Sequence, residues 1–199
     1  VVAGERNVRI DPITLSIVWS KLMSIVEEMG EAMLRTSYSQ ILNSSRDFST
    51  AICGAAGPLI AQAEHIPVHI GALSWAVIAL VDYFGDDVHP SDVFLLNDPY
   101  FGGQHLNDLI LFTPIYHDGG LLGYSGSTAH HLDIGGGVAG VNATATELLQ
   151  EGLIFPPTLF EIARDWNGGL LESFLAANVR PPEIAVGDMN AQFAANYTG

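Results

Sequence analysis

Apolar residues recur every three or four positions from Ile13 through Leu15, Ile17, Val18, Leu22, Ile25, Val26 and Met29 to Met33. That period predicts a long helix opening at Pro12 and ending near Thr36. The pattern then changes. Arg46 to Gly54 alternates small and β-favouring residues, Gly57-Pro58 signals a turn, and Leu59 to Ala63 reads as the returning strand of a hairpin. Ile70 to Phe84 predicts a second helix, closed by the acidic turn Gly85-Asp86-Asp87. Asp92 to Leu96 reads as a buried strand, and Leu109 to Tyr116 and Leu121 to Thr128 as two more, joined through His117-Asp118-Gly119-Gly120. Gly135 to Gly140 is a glycine loop, Pro156-Pro157 an extended bend, and the chain after Pro182 reads as helix to its end. Helices mixed with mostly antiparallel strands, without regular βαβ alternation, predict an α+β fold: a mixed, mostly antiparallel sheet with flanking helices.

Composition narrows what such a fold can serve. Seven Lys and Arg against 22 Asp and Glu give a formal charge of −15, so no basic stripe is present to neutralise nucleic-acid phosphates. Only 15% of the 199 residues are charged while 48% are hydrophobic, and the mean hydropathy is +0.28. Part of that apolar surface is expected to be covered by another polypeptide or by further parts of a larger subunit. The longest nearly apolar run, Ile70 to Val81, is too short for a bilayer, which takes about 20 residues. The first residues, with Glu5, Arg6, Arg9 and Asp11, lack the apolar core of a signal peptide. A single cysteine, Cys53, excludes an intrachain disulfide, fits a reducing, cytoplasmic compartment, and reads as a small buried hydrophobe. The length suits one sizeable core, and residues 1–199 show no internal boundary.

The candidate chemistry sits in two glycine-rich stretches, Asn97-Asp98-Pro99-Tyr100-Phe101-Gly102-Gly103-Gln104-His105-Leu106-Asn107-Asp108 and Ala129-His130-His131-Leu132-Asp133-Ile134-Gly135-Gly136-Gly137. His105 and Asp108 are three apart, which brings them to one side if the segment turns, and the glycines before them favour the turn. With His130 at a strand end they offer two imidazoles and a carboxylate, a donor set for zinc, manganese or iron(II). Asp47 is a candidate fourth ligand, or a carboxylate paired with Arg46 or capping a turn. His69 either caps the following helix or enters the site, and His89 and His117 are expected to face solvent. His131 and Asp133 are candidates to orient a ligand through a hydrogen bond, or a structural pair. Gly135-Gly136-Gly137 lacks the Gly-Lys-Ser/Thr of a phosphate loop, and Ser125 and Ser127 lack a nucleophile elbow.

Taken together, Arg46-Asp47-Phe48-Ser49, His65-Ile66-Pro67-Val68-His69-Ile70-Gly71, the Asn97 to Asp108 stretch, Ala129-His130-His131-Leu132-Asp133-Ile134-Gly135-Gly136, Glu151-Gly152-Leu153, Asn178-Val179-Arg180-Pro181 and Gly187-Asp188-Met189-Asn190-Ala191-Gln192 resemble the hydantoinase B/oxoprolinase family. The motifs fall in matching order over nearly the whole chain, which corresponds to the amino-terminal part of a longer B-type subunit. The resemblance implies a metal site of Asp47, His105, Asp108 and His130, holding Zn2+ or Mn2+. His131, Asp133 and Glu151, from the same motifs, are the candidate catalytic residues. It further implies an ATP-coupled cyclic amidohydrolase that opens a hydantoin-, oxoproline- or lactam-type ring. ATP would be used by a partner A-type subunit of the sugar-kinase/actin-like fold. Two alternatives stand beside it: a subunit of an acetone- or acetophenone-type carboxylase, and a non-catalytic subunit whose metal only stabilises the fold.

Overall fold

The computed structural model describes residues 10–66, 69 and 71–199. The expectations for the first nine residues, for Pro67 and Val68, and for a helix start at Ile70 lie outside them.

Helix α1 (Pro12–Thr36) opens where expected because Asp11 caps it: its Oδ1 accepts the amides of Ile13 and Thr14, at 3.1 and 3.0 Å, and Pro12 needs no amide partner. A short α2 (Gln40–Asn43), capped by Ser39, leads into β1 (Phe48–Gly54) and β2 (Leu59–Glu64). Then come α3 (Ala72–Phe84), β3 (Asp92–Leu96), a single 3-10 turn (Pro99–Phe101), and the long hairpin β4 (Asp108–His117) and β5 (Gly120–His130). A second 3-10 turn (Leu148–Gln150), β6 (Thr158–Glu161), α4 (Ile162–Asp165), α5 (Leu170–Asn178) and α6 (Pro182–Thr198) complete the chain.

The strands form one antiparallel sheet in the order β2-β1-β5-β4-β3-β6, so the fold is α+β as expected. Several boundaries differ from expectation. β1 starts at Phe48 rather than Arg46, because Arg46 takes a left-handed φ of 56° as the chain turns into the strand. The hairpin strands run further, to Asp108 and His130. β6 and α5 have no strong signal: one is four residues long after a proline pair, the other begins behind Gly168 and Gly169 without a side-chain cap.

Alternation assigns the two faces. Ala51, Cys53, Phe94, Leu96, Ile110, Phe112 and Tyr124 point to one side, where Leu73, Ala76, Val77 and Leu80 of α3 cover them. The opposite face packs Phe48, Ile52 and Ala129 against Val26, Met29 and Met33 of α1 and Ala191 and Ala195 of α6. Further along that face, Val93, Leu95, Leu109 and Leu111 meet Ala185 and Met189 of α6, Leu175 of α5 and Trp166.

Helix α6 carries a buried polar stripe at four-residue spacing. Asp188 accepts the amides of Tyr38 and Ser39, Gln192 donates to the Leu109 carbonyl, and Asn196 donates to that of Leu111. These bonds tie the helix to the α1–α2 bend and to β4, although one oxygen each of Asp188 and Asn196 stays buried without a hydrogen-bond partner. The first half of α1 lies apart from this packing: Ile13, Leu15, Ile17, Val18 and Trp19 are exposed. Among the described residues no helix is long and apolar enough to cross a membrane.

Candidate metal centre

Strand register creates the centre. Asp108 at the start of β4 lies directly opposite His130 at the end of β5. The Asp108 amide goes to the His105 carbonyl and the His130 amide to the Asp47 carbonyl, each at 3.0 Å. Both amides therefore point away from the other strand, the arrangement in which facing side chains come closest. The Asp108 Oδ1 to His130 Nδ1 distance is 2.6 Å.

The second imidazole arrives on the turn before β4. Asp108 closes that turn by accepting the His105 amide at Oδ2, 3.0 Å, and the His105 ring nitrogen Nδ1 is 3.4 Å from the same oxygen. The two histidine rings stand nearly perpendicular, centroids 5.9 Å apart. One ligand atom from each of His105, Asp108 and His130 fits within 4.8 Å of the others. Two glycines upstream set the approach. Gly102, at φ 100°, lies where a side chain would meet the Ala76 amide of α3 at 2.8 Å, and a Cβ on Gly103 would collide with the Asn97 carbonyl. Asn97 anchors the same stretch: its amide nitrogen donates to the carbonyls of Leu106 and Leu153, and its oxygen accepts the Phe155 amide.

Burial and charge act in opposite senses on each member of the facing pair. Burial pushes the Asp108 carboxyl up, but the hydrogen bond and charge of His130, with the His105 amide, outweigh it and hold Asp108 below the usual carboxylate range. Burial pushes His130 down, yet the Asp108 hydrogen bond and the charges of Asp108 and Asp47 raise it above the ordinary imidazole value. The two shifts are opposite in direction, as a carboxylate and an imidazole that favour each other's charged form require.

The Asp47 main chain is held beside His130, whose amide it accepts. No Arg46–Asp47 ion pair forms among the described residues. The Asp47 carboxylate lies 3.8 Å from Nε2 of His69. His69 is buried, does not cap α3, whose N-cap is Gly71 without a side-chain bond, and sits 3.1 Å through Nδ1 from the Ser49 hydroxyl. Of the two readings open for His69 in the sequence, the helix cap does not form, and the ring lies beside Asp47 instead. Burial lowers its basicity, against the opposing pull of Asp108 and Asp47. Ser49 had no sequence signal beyond its place after Asp47 and Phe48.

The three candidate catalytic residues make contacts of their own. His131, one residue beyond the strand end, is buried with Nε2 2.9 Å from Oε1 of Gln192, and burial lowers its basicity. Asp133 accepts the amides of Gly135 and Arg180 and the Arg180 guanidinium at 2.9 Å, while Arg180 also donates to the carbonyls of Gly136 and Val138. The pair thereby clamps the glycine loop. Glu151 ends the second 3-10 turn, its backbone pressed against Gly136. Neither Asp133 nor Glu151 is among the groups acting on Asp108 or His130. His89 and His117 are exposed, at 67% and 72% of their side chains.

Residues 11–199 match the family model described as hydantoinase B/oxoprolinase. The chain belongs to this family. An uncharacterised protein of Methanocaldococcus jannaschii is 41% identical over 95% of this chain, and the caprolactamase subunit beta of Pseudomonas jessenii 34% identical over 96%. The 5-oxoprolinase of Dictyostelium discoideum is 35% identical over 96% of the chain and is covered over 15% of its own length. The chain spans about a third of the length of the first two relatives. The crystal structure of the Pseudomonas jessenii ATP-dependent caprolactamase superposes with a TM-score of 0.84 at 33% identity, over 94% of this chain and 32% of that one. The nucleotide-free structure of acetone carboxylase shares the fold alone, with a TM-score of 0.82 at 20% identity over 94% of this chain and 25% of that one.

Proposed function

We propose that this chain supplies the metal centre of an ATP-coupled hydrolase that opens a hydantoin-, oxoproline- or lactam-type ring. His105, Asp108, His130 and Asp47 would hold the ion, zinc by preference and manganese as the alternative. The observation that carries this reading is the convergence of His105, Asp108 and His130 within 4.8 Å, in a chain of the hydantoinase B/oxoprolinase family. Two imidazoles and carboxylate oxygens suit a borderline divalent cation. Such an ion, when bound, polarises a carbonyl oxygen and makes water more acidic.

The chain's own residues contribute position and charge. Asp108 and His130 leave the ends of two central strands and are almost fully covered, with side chains 4% and 13% exposed, so they form the rigid side of the site. His105, 61% exposed on its turn, forms the accessible side and faces the direction from which a cyclic amide would arrive. A B-type subunit of relatives' length would supply further walls for this open side and exclude water there. Activation of the amide oxygen by phosphate transfer fits a partner A-type ATPase subunit of the sugar-kinase/actin-like fold, because the glycine loop here lacks the sequence of a phosphate cradle.

Ring opening by the purified holo-complex on hydantoin, 5-oxoproline and caprolactam, with and without ATP, tests the reading. ATP-dependent hydrolysis that disappears on chelation and returns with Zn2+ or Mn2+ is expected. Hydrolysis independent of ATP would overturn the coupling, and bicarbonate-dependent ATP turnover with a ketone would replace the hydrolase by a carboxylase.

A further inference from the structure

Among the proposed ligands Asp47 differs from Asp108 in how it is held. Asp108 is fixed by His130 and by the His105 amide, whereas the Asp47 side chain is 32% exposed and only its main chain is bonded to β5. A carboxylate free to rotate loses entropy when it must take one orientation. The structure sets a buried imidazole beside it. His69 approaches from the loop before α3, on the sheet face that also carries Asp108 and His130. Its Nδ1 is 3.1 Å from the Ser49 hydroxyl of β1, and its Nε2 is 3.8 Å from Asp47 Oδ1. Ser49 and Asp47 are two apart in sequence, so one short segment supplies both the carboxylate and the group that orients the imidazole facing it.

We infer that His69 is a positioning residue of the metal centre: Ser49 donates its hydroxyl proton to Nδ1, which places the remaining ring N–H on Nε2, toward the Asp47 carboxylate, and keeps Asp47 turned to the ion. This rests on the metal-centre reading above and adds Ser49 and His69 to it as groups that act through Asp47. The 3.8 Å separation is longer than a hydrogen bond, so the ring restrains the carboxylate as a polar neighbour, with its N–H dipole toward the carboxylate. The three-donor group of His105, Asp108 and His130 includes neither Asp47 nor His69. Asp47 therefore joins the set by turning toward it, and the ring beside Asp47 stands where an orienting partner belongs.

The test is competitive Co2+ titration against a chromophoric chelator, with d–d absorption recorded, on the intact protein. The variants are His69→Ala, His69→Gln, Ser49→Ala, Asp47→Ala and the double variant His69→Ala with Asp47→Ala. His69→Ala is expected to weaken Co2+ binding about 10–100-fold while keeping one site and the wild-type band shape. His69→Gln, which still presents an N–H near Asp47, should recover part of that loss. The double variant should bind no more weakly than Asp47→Ala, because His69 acts through that residue. Ser49→Ala provides an independent reading should His69→Ala not fold, and a several-fold weakening is expected from it. Wild-type affinity in His69→Ala or, where that variant does not fold, in Ser49→Ala overturns the inference and leaves the metal centre standing. So do losses that add in the double variant, or a His69→Ala spectrum that reports a missing ligand. Failure of the unmodified protein to take up Co2+ at all overturns both.

Discussion

Asp108 and His130 face each other across the β4–β5 ladder, 2.6 Å apart between Oδ1 and Nδ1, on the sheet face that α3 covers. The pair is satisfied without an ion: Oδ1 meets His130 and Oδ2 accepts the His105 amide, on the side where the His105 ring stands. A polar cluster on a sheet face is therefore compatible with a folded core before any ion enters.

Ligand removal is the direct check on the centre. His105→Ala, Asp108→Ala and His130→Ala should each lose stoichiometric Zn2+ or Mn2+ by elemental analysis, and Asp47→Ala should lose less. Asp108→Ala should in addition destabilise the protein by about 1–3 kcal/mol, because it leaves a mostly buried imidazole without its partner. Four variants that all retain one metal per chain would show that the cluster is not a metal site.

Chelation separates a catalytic from a structural ion. Because Asp108 and His130 remain paired, stripping the metal should abolish ring opening yet lower the melting temperature only by what linkage to a bound ligand supplies. A circular-dichroism melt of the stripped protein checks this. Loss of the cooperative transition would favour the structural role.

Asp133 and Arg180 give a different outcome. Asp133→Ala strips the guanidinium and two amides of a carboxylate 1% exposed at its side chain, and breaking such a pair typically costs about 3–5 kcal/mol, less here because Arg180 is 46% exposed. The variant should melt earlier but bind the metal with unchanged affinity. A normal melting curve with lost turnover would instead make Asp133 a catalytic group.

His131→Ala should likewise retain metal. Its Nε2 contact is to Gln192, whose own amide donates to the Leu109 carbonyl, so the loss falls on α6 docking. Urea unfolding of His131→Ala, Gln192→Ala and the double variant should reveal a coupling energy of about 0.5–3 kcal/mol between contacting groups. Additive losses would remove the link.

Cys53 supplies a pH test outside the centre. Burial between β1 and α3 pushes its thiol up to about 12. Between the unfolded thiol value of about 8.5 and that folded value, the native state holds a proton that the unfolded chain has released. Its contribution to stability must then fall as pH rises through this window, by at most about 1.4 kcal/mol per unit. Cys53→Ala should flatten the profile above pH 9 in denaturant titrations. In the native wild type, iodoacetamide at pH 8 should leave the thiol unmodified, and rapid labelling would contradict its burial.

Local pattern was enough for α1, whose period and Asp11-Pro12 opening are written in adjacent residues, and for the β4–β5 hairpin, whose glycine turn lies between two apolar runs. It was also enough to single out His105, Asp108 and His130, because imidazole and carboxylate beside glycine clusters are chemically conspicuous and the hairpin joins two of the segments that carry them. The pairing of β1 with β5, from Phe48 opposite Ala129 to Gly54 opposite Gly123, and of β6 with β3 at the sheet edge, had to come from the whole fold. The same holds for the side each polar group faces. Histidines 130 and 131 are adjacent in the chain, yet one meets Asp108 on the α3 face and the other meets Gln192 of α6. The approach of His69 to Asp47 is likewise a contact between segments distant in the chain. Sequence determined which side chains were available and the local period of each segment, because that period depends on neighbours only two to four residues away. Only the tertiary structure decided which of them met, because strand register and helix docking are set by the summed burial of distant apolar faces, and a shift of one residue would turn each strand's side chains to the opposite face.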